Sequence, residues 1–119
     1  MPADSNANGD IFGGWLMAQM DLAGGNFASR VCEGRCATVA VDAMSFIRPV
    51  KIGDEVSVYA ELIGTGKTSM RVRIEAWRRD RHVDEEKIVT KAVFTFVAID
   101  DAGRPRPLPR RATGPAASS

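Results

Sequence analysis

Hydrophobic residues near the start of the chain recur with the period of a helix. They are spaced by four, three and four positions, at Leu16, Met20, Ala23 and Phe27. This spacing predicts a helix from about residue 11 to residue 30. Asn8 or Asp10 would cap its start, and Gly34 follows its end.

After the helix, the pattern changes to that of β-strands. Four runs are separated by short links, at residues 36–47, 55–63, 69–77 and 88–99. The second and third runs alternate apolar with polar residues, and the first is apolar on both faces. The last run is long and apolar on both faces, as a central strand would be. Because the links are short, we expect successive strands to be antiparallel neighbours. The order predicts an α+β fold with the helix packed on one sheet face, and pairing of two chains would protect the other surfaces.

The chain has 119 residues, which suits one domain, and we place that domain at residues 1–100. Residues 101–119 are rich in proline, arginine and small residues, so we expect them to be largely disordered. Four arginines in this tail fit a solubilising role better than a binding role: Arg104, Arg106, Arg110 and Arg111.

Charge and hydropathy narrow the functional classes. The formal net charge is +1, with 26% charged and 45% hydrophobic residues, so no overall field favours nucleic acid or an anionic membrane. No apolar run approaches the roughly 20 residues of a membrane span, and no signal-peptide pattern is visible. We therefore expect a cytoplasmic protein.

The cysteines and the histidine argue against a metal site. Cys32 and Cys36 lack the second ligand pair of a zinc site, and His82, the single histidine, lies far along the chain in a charged link. Two reduced thiols at a helix–strand junction are the simpler interpretation. A histidine-activated nucleophile is equally disfavoured, so any acid–base chemistry must rest on carboxylates.

Asp21 is the carboxylate that the helix pattern singles out. Aspartate is a poor residue for a helix interior, and the neighbours on its stripe are Gly14, Met17 and Gly25. Among such small and apolar residues it would be a candidate general base. An aspartate that simply faces solvent explains the same spacing, so the pattern leaves both interpretations open.

Gly13 and Gly14 have two interpretations as well. At a helix start, free N–H groups and the absence of a Cβ would suit an oxyanion site. Alternatively, the pair permits close packing of helix on sheet. Asp10 would cap the helix, orient a water molecule, or do both.

Several stretches together resemble the hotdog-fold acyl-CoA thioesterases, and most closely the YciA-like group. They are NGDIFGGWLMAQMD, FIRPVKIGD, GKTSMRVRIEAW and AVFTFVAID, and the resemblance covers roughly residues 2 to 109. It implies a hotdog fold, in which a long central helix packs on a curved antiparallel sheet. Members usually carry a strand before the first stretch, so that strand would here be short or missing.

The resemblance also implies an activity and a set of residues. Members hydrolyse acyl-CoA to free acid and CoA without a metal, with CoA as part of the substrate, and they work as dimers that commonly assemble into hexamers. The family's catalytic carboxylate corresponds to Asp21, its oxyanion amide to Gly13 or Gly14, and its polar loop residue to Asp10. Its CoA-contacting turn corresponds to residues 67–69.

The CoA contacts are less specific than the catalytic ones. Lys67, Thr68 and Ser69 would form a phosphate clamp or an ordinary hairpin turn, and both interpretations stay open. Arg48 is a second candidate cation. Two other functions remain: a hotdog dehydratase, disfavoured because no histidine lies near the helix, and an acyl-CoA-binding protein without catalysis.

The helix geometry makes one further prediction. Gly13 and Asp21 are eight positions apart, so their rise along a helix differs by ~12 Å. A reacting carbonyl must lie ~3 Å from both its donor and its base. Two antiparallel helices related by a twofold axis would bring Gly13 of one chain to Asp21 of the other, so we expect a site shared between subunits.

Overall fold

The computed structural model describes residues 2–50, 53–80, 82 and 84–110, without the side chains of residues 2–12 and 43. One helix is followed by four strands in chain order. They are α1 (Pro2–Cys32), β1 (Cys36–Phe46), β2 (Glu55–Thr65), β3 (Ser69–Arg79) and β4 (Glu86–Ala98). The helix and the four strands expected from the pattern are confirmed, with boundaries shifted by a few residues except at the start of the helix.

The helix begins earlier than the hydrophobic period predicts. It starts at Pro2, so Asn8 and Asp10 lie inside it rather than at its N-cap. Its end matches the expected region and has the geometry of a Schellman cap. Glu33 adopts the left-handed conformation with φ 56°, and the Gly34 amide donates to the Ser29 carbonyl at 3.0 Å.

The strands form one antiparallel sheet in the order β1-β4-β3-β2. The hairpins β2–β3 and β3–β4 confirm the expectation from short links. The expectation that β1 and β2 are neighbours is wrong, because β1 pairs with β4 and lies at the opposite edge of the sheet from β2. Three strand spacings amount to ~14 Å, which the eight residues 47–54 are long enough to cross.

Polar contacts hold this crossing link against the end of the sheet. The Ile47 amide donates to the Val89 carbonyl at 2.7 Å, and an Nη of Arg48 donates to the Ile88 carbonyl at 2.9 Å. At the far side, Arg78 pairs with Asp54 at 3.5 Å, with side chains only 17% and 4% exposed. The two ends of the link are therefore held against β4 and β3, the two central strands that it crosses.

The core lies between the helix and the inner face of β3 and β4. Every second residue of β3 is fully buried, as the alternation predicts: Met70, Val72, Ile74 and Ala76. Phe94 and Phe96 of β4 are stacked with ring centroids 6.1 Å apart, and Leu16 and Met20 of the helix belong to the same cluster. The outer face carries exposed ion pairs such as Arg73–Glu61 at 2.5 Å.

The chain after β4 departs from the disorder expected of residues 101–119. Asp100 caps a tight turn, in which its Oδ1 accepts from the amides of Ala102 and Arg104 at 2.9 Å each. The chain then returns beside the end of β4, with an Ile99–Pro105 bridge, and buries Leu108 in the core. Residues 101–110 are thus packed by their own turn chemistry and by one apolar anchor, while residues 111–119 lie outside the described part.

One glycine, which the sequence pattern did not single out, sets how closely the helix approaches the sheet. A Cβ on Gly24 would lie 2.3 Å from Cδ1 of Ile74 and 3.0 Å from Cζ of Phe96. A Cβ on Gly25, the next residue, would meet only Phe96, at 3.8 Å. Gly24 therefore supplies the close contact that the pair Gly13-Gly14 was considered to supply.

We expect Gly24→Ala to be less stable than Gly25→Ala by about 1–3 kcal/mol, the usual cost of overpacking a core. Both changes gain the same helix propensity, of roughly 1 kcal/mol, so their difference isolates the contact with the sheet. Urea unfolding of the two variants measures it. Equal midpoints would show that Ile74 and Phe96 move aside without cost.

Candidate active site

Asp21 lies on the flank of the helix beside the edge strand β1. The Thr38 hydroxyl donates to its Oδ1 at 2.6 Å. The Asp21 side chain is half-buried, so the carboxylate is not enclosed in the apolar core. A hydrogen bond to one carboxylate oxygen fixes the orientation of the group and leaves the other oxygen to act on a neighbouring molecule.

The surface around Asp21 is apolar and open in the single chain. On the same helix stripe, Met17 is exposed, and a Cβ on Gly14 would meet no atom within 4 Å. Further large apolar side chains are exposed on the helix and on β1: Trp15, Leu22, Val39, Val41 and Phe46. Exposed apolar residues in such number are typical of a surface that another molecule covers.

Gly13 and Gly14 do not lie at a helix start. The helix begins at Pro2, so their N–H groups lie where the helix uses them for its own hydrogen bonds. The prediction that they offer free N–H donors at a helix start is therefore not met. A Cβ on Gly13 would contact the Phe46 ring at 3.7 Å, which places Gly13 near the end of β1. The Asp10 side chain lies outside the described part.

The candidate CoA-contacting turn lies at the same end of the sheet as Asp21. Thr38 is opposite Phe96 on β4, which is opposite Met70 on β3. Ser69 is the residue before Met70, so the Lys67–Ser69 turn lies about two strand spacings, ~10 Å, across the sheet from Thr38. Lys67 is exposed, and the turn is closed by the Gly66 amide donating to the Ser69 carbonyl at 2.9 Å.

Arg48 lies at the other end. Its guanidinium donates to the Ile88 carbonyl, beside the start of β4, whereas Lys67 lies beyond the start of β3. The two ends of β3 are separated by ~33 Å. Within one chain, Arg48 and Lys67 are therefore too far apart to form one phosphate clamp.

Comparison with known proteins assigns the family. The model of the thioesterase superfamily matches residues 8–85. The acyl-CoA thioester hydrolase YciA of Escherichia coli (strain K12) is 47% identical over 112 residues, covering 92% of this chain and 85% of the relative. The chain belongs to the thioesterase superfamily.

Solved structures of thioesterases share the fold. The hexameric thioesterase y2039 from Yersinia pestis superposes with a TM-score of 0.80 at 53% identity, covering 92% of this chain and 88% of that one. HI0827, a hexameric broad specificity acyl-coenzyme A thioesterase, superposes with a TM-score of 0.80 at 47% identity, covering 92% and 76%. The resemblance to hotdog thioesterases and the fold class expected from it are confirmed.

The two cysteines of the chain lie at the end of the helix and at the start of β1. Both are free, and Cys32 is buried. Burial raises the pKa of the Cys36 thiol. The Ser29 hydroxyl, 3.5 Å from the Cys36 Sγ, lowers this pKa by a smaller amount. A thiol with a raised pKa is a poor nucleophile near neutral pH, in agreement with the expectation of carboxylate chemistry.

The remaining candidate groups add little to the site. His82 lies in the β3–β4 link, where its amide donates to Asp80 Oδ1 at 2.9 Å. Within residues 2–50, 53–80, 82 and 84–110, no cluster of three or more His, Cys, Asp or Glu is placed to hold a metal ion. Across the same ranges, no helix is long and apolar enough to cross a membrane.

Thr38 is the polar residue of this site that the sequence pattern missed. It lies 17 positions from Asp21 in a strand whose residues are mostly apolar. The two side chains meet because β1 lies beside the helix in the folded chain. No short motif links them, so sequence spacing had no signal to offer.

Proposed function

We propose that this chain is an acyl-CoA thioesterase that hydrolyses acyl-CoA to a free carboxylic acid and CoA. The single observation that carries the proposal is the Asp21 carboxylate, oriented by Thr38 on an open flank of the helix. Relatives with 47–48% identity over 92% of this chain are named acyl-CoA thioester hydrolases. The reaction takes place in the cytoplasm. It needs no metal or other cofactor, and CoA enters it as part of the substrate.

Two routes are open to the carboxylate. As a general base, the free oxygen of Asp21 takes a proton from water while the water oxygen attacks the thioester carbonyl. As a nucleophile, the same oxygen attacks the carbonyl, and water then hydrolyses the resulting anhydride. In both routes the C–S bond breaks, CoA leaves as the thiolate, and that thiolate finally takes up a proton.

The site is completed by a second copy of the chain. The outer edge of β1 pairs with no strand among the described residues, and it carries the exposed Val39 and Val41. An unpaired apolar edge of this length is a template for pairing with another chain. Pairing of two β1 edges about a twofold axis also covers the apolar side chains on the adjoining helix flank.

This pairing determines which residues meet. Asp21 accepts a hydrogen bond from Thr38, near the start of β1, while Gly13 lies near Phe46 at the end of β1. In an antiparallel pair, the start of one strand lies beside the end of the other. The Gly13-Gly14 stretch of the partner therefore comes to Asp21, and its lack of side chains leaves room for the thioester. Dimers then assemble into a hexamer, and the similar thioesterases of known structure are hexameric.

The nucleotide end of CoA binds at the turn formed by Lys67, Thr68 and Ser69. Lys67 is exposed and offers an ammonium group to the phosphates, and two hydroxyls follow it in the chain. The turn lies on the same side of the sheet end as Thr38, which suits a substrate that extends from a phosphate contact to a reacting carbonyl.

Asp21→Asn is expected to lower kcat for acyl-CoA by at least ~100-fold, because the amide keeps the shape of the side chain but does not accept a proton. Release of CoA thiol, trapped with a chromogenic disulfide, measures turnover. The fold should survive, since a neutral amide is no harder to bury than a carboxylate. Thiol release by Asp21→Asn at the wild-type rate would remove Asp21 from the mechanism, and no release by the wild-type protein would make it a binding protein.

Thr38→Val should lower kcat about tenfold, because it removes the donor that orients Asp21 while keeping the shape and volume of the side chain. Thr38→Ser retains the hydroxyl and is the matched control, expected within about twofold of wild type. Steady-state kinetics of both variants give the comparison. If the two variants have the same kcat, the hydroxyl has no part in catalysis.

A further inference from the structure

The returning chain after β4 contacts both the end of the helix that carries Asp21 and the candidate CoA-contacting turn. We call residues 99–108 the return segment. It is shaped by the Asp100 turn, with Gly103 at φ 81°, where glycine is favoured. The segment then lies against the helix end on one side and the Lys67–Ser69 turn on the other.

Arg106 forms the contact with the helix end. Its Nε donates to the Ile99 carbonyl at 2.9 Å, and one Nη donates to the Cys32 carbonyl at 3.1 Å and to the Arg35 carbonyl at 3.5 Å. The last carbonyls of a helix lack partners within it and carry partial negative charge, so a guanidinium suits them. The same Nη lies 3.5 Å from the Cys32 sulfur.

Gly34 makes room for this guanidinium. A Cβ at that position would lie 2.5 Å from the Arg106 Nη. The helix therefore takes its left-handed turn at Glu33, which has φ 56°, and keeps the glycine for the close approach of Arg106. A planar group with several donors in fixed directions reaches three carbonyls from three elements, which a lysine ammonium does not match.

Leu108 forms the contact with the turn. Its amide donates to the Lys67 carbonyl at 3.0 Å, and its side chain is only 8% exposed. The next carbonyl of the turn, that of Thr68, accepts from the Ala98 amide at 2.9 Å. The Lys67 backbone is thus held by the return segment while its side chain stays exposed.

We propose that the return segment positions the CoA-binding turn relative to the helix that carries Asp21, and that Arg106 and Leu108 are its positioning residues. This inference rests on the proposed function. The substrate must reach from the phosphate contact to the carboxylate, so a displaced turn weakens the phosphate contact and with it the binding of acyl-CoA, while the groups around the reacting carbonyl stay in place. The arginine expected to be solubilising is therefore assigned a specific role.

The test compares acyl-CoA with S-acyl-pantetheine, which lacks the nucleotide phosphates. Arg106→Met should raise KM for acyl-CoA about tenfold while leaving kcat, and KM for S-acyl-pantetheine, within about twofold. Arg106→Lys keeps the charge and should restore part of the affinity. Lys67→Ala should likewise raise KM for acyl-CoA and leave KM for S-acyl-pantetheine unchanged, because it removes the phosphate contact itself.

Arg104→Met is the matched control, since Arg104 is an exposed arginine two residues earlier in the same segment. It should leave all constants within about twofold of wild type. Leu108→Ala should also raise KM for acyl-CoA but not KM for S-acyl-pantetheine. It replaces Arg106→Met in the test if that variant does not fold. Loss of folded protein alone lowers the number of active sites and leaves KM unchanged, so it cannot imitate the expected result.

The inference is overturned if folded Arg106→Met or Leu108→Ala has the wild-type KM for acyl-CoA, or if both substrates are affected equally. Failure of the proposed function looks different, because the wild-type protein would then release no CoA from either substrate. In that case calorimetry measures the binding of CoA and of pantetheine to the wild-type protein and to Arg106→Met. If Arg106→Met binds CoA more weakly and pantetheine equally well, the inference is supported. If its affinity for CoA is unchanged, the inference is refuted.

Discussion

The core and the candidate site both depend on how closely the helix approaches the sheet. The close approach is possible because Gly24 has no side chain above Ile74 and Phe96. The same approach sets the distance between the helix flank and β1, and thereby the 2.6 Å hydrogen bond between Thr38 and Asp21. Packing in the core and the orientation of the candidate catalytic group are thus consequences of one contact.

The single chain is an incomplete unit in this account. Its helix flank and edge strand expose several large apolar side chains, more than is usual for a surface that faces only water. These side chains surround the Asp21 carboxylate. In the proposed dimer, a second copy related by a twofold axis would cover them and bring a glycine pair to Asp21. Burial of apolar surface and assembly of the site are then the same event, which would explain why so small a chain can build a substrate pocket.

The parts of the fold that depend on local pattern could be predicted from the sequence. The alternation in β3 identified its buried residues, and the helical period identified the buried Leu16 and Met20. The parts that depend on contacts distant in sequence could not. The pairing of β1 with β4, the contact of Thr38 with Asp21 and the packing of Gly24 each join elements that no local period relates.

Residues 101–110 are a second example of structure that depends on contacts distant in sequence. Their composition is that of a disordered tail, and composition was the only signal available for residues 101–110. What orders them is specific: an aspartate-capped turn, one arginine on backbone carbonyls and one buried leucine. These contacts decide the conformation of residues 101–110: Asp100 shapes the turn, and Arg106 and Leu108 attach the segment to the helix end and to the core.

Mixed dimers show whether each site takes Asp21 from one chain and the glycine stretch from the other. Asp21→Asn removes the carboxylate, and Gly14→Phe fills a position that is open within its own chain and would face the partner's Asp21. Each homodimer should be inactive. A purified dimer with one chain of each kind has one site with both defects and one with neither, so it should hydrolyse acyl-CoA at about half the wild-type rate. An inactive mixed dimer would place both parts of a site in one chain and rule out a site shared between subunits.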